Sequence, residues 1–122
     1  MKDFKNLEIW KKSHKLTLEI YKATQQFPRE EIFGLTSQIR RAVSSIPTNI
    51  AEGCGRRTNA ELANFLNIAS GSASEVEFEI LLAKEVGYIT AKQYANWTHE
   101  IIEIRSMLAA YMSKLTAKKA DN

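Results

Sequence analysis

A single cysteine, Cys54, stands in a chain of 122 residues, so no internal disulfide can staple the fold. With no histidine nearby in sequence, that thiol reads as inert rather than catalytic. No apolar run approaches the roughly 20 residues a membrane span needs. The opening "MKDFKNLEIW" has no uninterrupted apolar stretch and no small-residue cleavage site. Both absences argue against a secretory signal and predict a cytoplasmic protein without membrane contact. Catalytic patterns are missing as well. The two histidines are His14 and His99, and neither follows an arginine by four to six residues, the spacing used by helical nucleases of toxin systems. No Glu-x-x-His occurs, which excludes the usual di-iron bundle ligand set. The expectation is therefore a non-enzymatic protein with no catalytic residue, no metal and no cofactor.

What is present is an ordinary globular composition, 44% hydrophobic and 25% charged, in a length that suits one domain over residues 1–122. The formal charge of +3 is modest, but it is unevenly distributed. Residues 1–60 hold eleven Lys/Arg against six Asp/Glu, whereas residues 61–122 hold six against eight. A basic half can supply a phosphate-binding face that the total conceals, and it can equally serve helix pairing within the chain.

Apolar residues recur at helical spacing in four segments, and no segment alternates as a strand does. The first runs from about 7 to 27 and stops before Pro28. The second runs from about 30 to 52, where Gly53 and Gly55 are expected to end it. The third, about 59–86, opens with Thr58 and Glu61 as a capping box and closes before Gly87. The fourth, about 91–117, opens with Thr90 and Gln93 and carries lysines near its end, which suit a helix C-terminus. Long helices joined by short loops predict an all-α, antiparallel up-down-up-down four-helix bundle.

Turning each residue by 100° shows where the faces point. The fourth helix has one apolar stripe, Tyr94, Trp97, Ile101, Ile104, Leu108, Tyr111, Met112 and Leu115. The first has two: Ile9, Leu16, Ile20 and Phe27 on one side, Leu7, Trp10, His14, Leu18 and Tyr21 nearly opposite. On the second of these His14 reads as a core histidine rather than a ligand. The third helix points Leu62, Phe65, Leu66, Ala69, Ala73, Val76 and Ile80 one way and Ile68, Phe78, Leu81 and Leu82 elsewhere. A bundle needs one buried stripe per helix, so the surplus predicts burial against further copies of the chain.

The stretch "SSIPTNIAEG" (44–53) sits inside the second helix. Leu35, Ile39, Ala42, Val43, Ile46 and Ile50 form its core stripe, and Pro47 predicts a kink because it removes a backbone donor and crowds the Val43 carbonyl. About 100° away lie Gln38, Arg41, Ser45, Asn49 and Glu52. With Ser72 and Glu75 of the third helix, and Glu79 beyond them, these predict a structural polar network that fixes helix register.

The run from "FKNLEIWKKSHKLTLEIY" through "FPREEIFGLTSQIRRAVSSIPTNIAEGCGRRTNAELANFLNIASGSASEVEFEILLAKEVGYI" resembles the four-helix-bundle proteins encoded by intervening sequences in bacterial 23S ribosomal RNA genes. Gln38, Arg41, Ser45, Asn49, Glu52 and Gly53, followed by Ala69, Gly71, Ser72 and Glu75, carry the resemblance. It implies a ring-like homopentamer. It also implies a relation in fold to the accessory variability determinant of diversity-generating retroelements, which binds nucleic acid and a reverse transcriptase.

Together these readings point to an oligomer that binds RNA or DNA through basic patches. The candidate contacts are Lys11, Lys12, Lys15 and Lys22 on a ridge of the first helix, with Arg40, Arg41, Arg56 and Arg57 in and after the second. Arg56 and Arg57 lie in a loop and are the more available, whereas Arg41 is also claimed by the polar network. The alternative is a scaffold that binds another protein and no nucleic acid.

Overall fold

The computed structural model describes residues 2–120, the side chains of 118–120 excepted, so those of the last two terminal lysines, Lys118 and Lys119, lie outside the description. The chain forms four α-helices: α1 (Glu8–Thr24), α2 (Leu35–Cys54), α3 (Asn59–Glu85) and α4 (Ala91–Ala120). One-turn 3-10 helices at Phe4–Asn6 and Arg29–Glu31 precede α1 and α2. Strands are absent among the described residues.

The helices run antiparallel around a closed square. Thr17 reaches Val43 while the later Thr24 meets the earlier Arg40, so α1 and α2 oppose. Ser45 meets Ser72 and Gly53 lies against Leu62, which opposes α2 and α3. Glu77 pairs with Arg105 and Lys84 lies over Tyr94, opposing α3 and α4. Lys12 binds Glu100 and Glu103 across the α1–α4 seam. Inside sits one core whose fully buried members include Leu16, Ile39, Ile46, Leu66, Ile80 and Ile104. The anticipated core stripe of α2 is buried at every position.

Several boundaries differ from those the sequence predicts. The chain leaves α1 at Thr24 rather than Phe27, because i→i−3 bonds from Gln26 to Ala23 and from Phe27 to Thr24 tighten the last turn ahead of Pro28. The second helix starts at Leu35, not Glu30. Glu30 and Glu31 belong to the separate 3-10 turn, and the Glu31 carboxylate accepts the Leu35 amide at 3.0 Å, capping α2 from outside. That amide, and then the Tyr88 hydroxyl at 2.8 Å, hold the Glu31 carboxyl below its ordinary range.

Gly53 does not stop α2, which continues through Cys54 to a cap at Gly55. A Cβ at Gly53 would lie 2.9 Å from Leu62 and 3.0 Å from Phe65, so this glycine lets α2 and α3 approach closely. Gly87 is the helix terminator the sequence predicts. At φ 85° it closes α3 in a Schellman motif, with the Tyr88 amide returning to Ala83 at 2.8 Å. The Thr90–Gln93 capping box forms in full, the two residues capping each other reciprocally at 3.0 and 2.9 Å. At Thr58 only half of the predicted box forms: Thr58 accepts the Glu61 amide at 3.1 Å, but the Glu61 carboxylate accepts the Thr58 hydroxyl rather than its amide.

α2 passes through Pro47 without interruption. Proline has no N–H to offer the Val43 carbonyl, its normal i−4 partner. The buried Thr17 hydroxyl of α1 points at that carbonyl instead, 3.2 Å away, while also lying 2.7 Å from the Ser13 carbonyl. One hydroxyl proton is thus shared between the Ser13 carbonyl and the carbonyl that proline leaves without its donor, a partial substitute that ties α1 to the middle of α2.

Replacing Thr17 by Val keeps the shape but orphans the Val43 carbonyl, and is expected to lower stability by about 1–2 kcal/mol in urea denaturation. In a Pro47→Ala background, where an amide serves that carbonyl again, the same change should cost clearly less. Equal costs in both backgrounds would show that Thr17 does not compensate for the proline.

Candidate nucleic-acid interface

The eight basic candidates separate into two groups. Lys12 Nζ donates to Glu100 at 3.0 Å and lies 3.3 Å from Glu103, and its ammonium pKa is raised first by the Glu100 bond. Arg40 Nε donates to Thr24 at 2.7 Å, its Nη2 donates to the Tyr21 carbonyl at 3.2 Å, and its guanidinium lies over the Tyr21 ring. Both are engaged within the chain. Arg41 Nη2 donates to Ser37 Oγ at 2.9 Å. Lys11 makes an exposed pair with Glu8, which holds neither side chain firmly. Lys15, Lys22 and Arg57 are exposed and have no ionic partner among the described residues.

Arg56 and Arg57 stand at the turn between α2 and α3. Arg56 lies over the Phe65 ring at 4.7 Å, with a loose 3.4 Å contact to Glu52. The N-terminal segment joins them, because the Lys2 amide donates to the Cys54 carbonyl at 3.1 Å. Lys2, Arg56, Arg57, Thr58 and Asn59 thereby line one hollow of about 200 Å³ at the start of α3. Three cations beside the positive end of a 27-residue helix form a small electropositive corner. Sequence reasoning missed Lys2, whose place depends on that backbone bond to a residue 52 positions along the chain. Cys54 at the floor is buried, and burial pushes its thiol pKa up, so it is a poor nucleophile.

The polar stripe is brought together only in part. Ser45 Oγ and Ser72 Oγ lie 2.8 Å apart, and Asn49 Nδ2 donates to both the carbonyl and the hydroxyl of Ser45, at 2.8 and 2.9 Å. Gln38 is exposed, Arg41 turns to Ser37, and Glu52 meets Arg56. Glu75 is exposed beside Glu79, which is 3% exposed and has no partner for its Oε1. Burial, then the Glu75 charge and a bond to Glu75, push the Glu79 carboxyl up to about 8, against the pull of Arg41.

Two further readings need correction or addition. His14 is not a core residue. It is half-buried on the outer stripe, stacked on Trp10 with ring centroids 4.7 Å apart. His99, Glu100 and Glu103 bring ligand atoms within 4.8 Å of one another, but the Lys12 ammonium already bridges the two carboxylates.

A profile described as 23S rRNA-intervening sequence protein matches residues 5–110. The chain belongs to this family. Among solved structures it is similar to a protein of unknown function from the S23 ribosomal protein family of Bacteroides thetaiotaomicron VPI-5482, at 28% identity. The alignment covers 86% of this chain and 95% of that one, with a TM-score of 0.79. None of the curated proteins compared matches. The family assignment agrees with the resemblance carried by the α2 and α3 motifs. Among the described residues, no helix of this family member is long and apolar enough to cross a membrane.

The Glu79 environment generates a pH dependence. Folded Glu79 keeps its proton up to about 8, whereas the unfolded residue releases it near the ordinary glutamate value. Between those limits the folded chain binds more protons, so stability falls as pH rises, by at most about 1.4 kcal/mol per pH unit. Glu79→Gln removes this loss. Urea denaturation at fixed protein concentration should show the variant close to wild type near pH 5 and more stable at pH 8. A gap of the same size at both pH values would contradict the assignment.

Proposed function

We propose that the chain is a non-enzymatic, self-assembling binding module that holds RNA by its phosphate backbone. The observation that carries this reading is the corner of Lys2, Arg56 and Arg57 around a hollow of about 200 Å³ at the N-terminal end of α3. Lys15 and Lys22 offer a second, weaker patch along α1. No base-reading element accompanies either, so binding is expected to tolerate any sequence and to weaken with salt.

Assembly is supported by the surplus apolar faces. Leu18 of α1 is 57% exposed and Phe78 of α3 is 62% exposed, with Tyr21, Ile68 and Leu81 exposed alongside them. Singly these side chains are ordinary, but at helical spacing they form faces of the kind that interfaces bury. Repeating a modest corner in every copy multiplies a weak attraction into useful avidity. A cytoplasmic setting, and the pentameric ring implied by the resemblance, fit this reading.

A protein scaffold is the second reading. Phe33, 96% exposed in the turn before α2 beside exposed Ile32, favours it, because an exposed aromatic serves a protein partner better than a phosphate backbone.

The test is fluorescence anisotropy of nuclease-treated protein with a labelled single-stranded RNA, titrated from about 50 to 200 mM salt, where phosphate binding weakens steeply. Arg56→Ala with Arg57→Ala is expected to weaken binding and to flatten the log–log salt slope by about 1.4, roughly 0.7 for each phosphate no longer neutralised. Oligomer mass should not change. Unchanged affinity would remove the corner from the interface, and no binding of wild type at low salt would favour the scaffold.

A further inference from the structure

A groove of about 620 Å³ opens between α1 and α4, beside the Lys12 bridge that closes their seam. That volume is in the range that holds a small organic unit. Lys15, Glu19 and Lys22 line its α1 side at intervals of four and three residues, so they share one flank, with the two lysines about 10 Å apart at 1.5 Å per residue. None of the three has an ionic partner among the described residues. Gln93, Asn96 and Trp97 line the α4 side. Gln93 spends its carbonyl on the Thr90 amide, which leaves its NH2 group to donate. Trp97 is 5% exposed, yet it lines the groove. Its indole N–H has no partner among the described residues, and it is not sealed off, since the sealed side-chain atoms without a partner are Glu79 Oε1 and Thr98 Oγ1. A nearly buried donor thus keeps its free edge toward the groove.

We propose that this groove holds a ribose-phosphate unit of single-stranded RNA and disfavours the corresponding unit of DNA. The inference rests on the RNA-binding reading above and adds to it a second site that reads the sugar. Along the α1 flank the charges run cation, anion, cation. Phosphates flank every internal ribose of RNA, so Lys15 and Lys22 can each meet one while Glu19, which can only accept, meets the 2′-hydroxyl between them. That hydroxyl is both donor and acceptor, and it accepts in turn from the Trp97 N–H. In DNA the hydroxyl is missing. Glu19 then faces phosphates with nothing to accept from, and the indole N–H loses its acceptor. A stripe built for phosphate alone gains nothing from a central carboxylate, whereas a ribose gives it a partner. The base stays outside, because base recognition needs an aromatic face to stack on and Trp97 offers too little open surface.

Fluorescence anisotropy at about 100 mM salt compares labelled oligouridylate with oligodeoxyuridylate of the same length, strands that differ only in the 2′-hydroxyl. Wild type is expected to bind the RNA at least about tenfold more tightly. Glu19→Ala, a change at an exposed position, should narrow that ratio to less than about threefold, in part by tightening the binding of DNA. A purely structural role for Glu19 would not improve DNA binding. In a proton–nitrogen correlation spectrum the Trp97 indole signal, told from that of Trp10 by Trp10→Phe, should move as RNA is added. Equal affinity for the two strands overturns the inference and leaves the RNA reading intact. A preference that survives Glu19→Ala, or a Trp97 signal that stays in place at saturating RNA, overturns it too, because the sugar is then read elsewhere. Absence of RNA binding at low salt removes the RNA reading, and this site falls with it.

Discussion

The Val43 carbonyl has lost its backbone donor to Pro47, and the arrangement of the bundle depends on how that deficit is met. α2 packs against α1 on one side and α3 on the other. An unpaired carbonyl in its buried middle would cost free energy on the scale of a whole hydrogen bond. Thr17 partly fills the gap from α1, sharing its one hydroxyl proton with the Ser13 carbonyl. Two residues after Val43, Ser45 meets Ser72 of α3 and is itself held by Asn49. Polar contacts from opposite sides thus fix α2 within one turn, against α1 by Thr17 and against α3 by Ser72. Apolar packing alone tolerates sliding between helices, whereas a directional bond at each seam does not. The breaker and the awkward polar residues of "SSIPTNIAEG" are therefore parts of one register device.

Fold was legible in the sequence because its signals are local and strong. The core stripe of α2 can be counted off at three- and four-residue spacing, and each of its six members is buried. Thr58 with Glu61 and Thr90 with Gln93 marked helix starts because a capping box uses only neighbouring residues. Errors fell where a distant contact overrides a local preference. Glu30 and Glu31 look like the acidic first turn of a helix, yet Glu31 is recruited as an external cap held by Tyr88, 57 residues away. Gly53 looks like a terminator, yet it is a spacer cut to fit Leu62 and Phe65. His14 lies on an apolar stripe, but nothing in one helix says which of two apolar stripes faces inward.

Charge was the least legible property, since a count of lysines does not say which are already paired. The excess of cations in the first half is partly neutralised by the acidic second half: Lys12 by Glu100 and Glu103 across the α1–α4 seam. Arg40 is committed to Thr24 and the Tyr21 carbonyl, a use no charge tally anticipates. What survives as free positive potential is smaller than the sequence suggests: Arg57 with Lys2 and the loosely paired Arg56 at the corner, and Lys15 and Lys22 along α1. Glu79 reads in the sequence as one member of a satisfied polar network, and only the packing of α2 against α3 reveals that it is buried with one oxygen lacking a partner.

These features divide the bundle by end and by face. The basic corner lies at the end where α2 turns into α3, and the N-terminal segment closes over it. Phe33, Ile32 and Val86 are exposed at the other end, where the Tyr88–Glu31 bond joins the two turns. The surplus apolar residues of α1 and α3 lie along the sides. A contact made through the sides leaves both ends free, and in a closed cyclic assembly rotation repeats each end in an equivalent position. Corners that bind one phosphate weakly then become a set at fixed spacing, able to engage a flexible polyanion at several points at once.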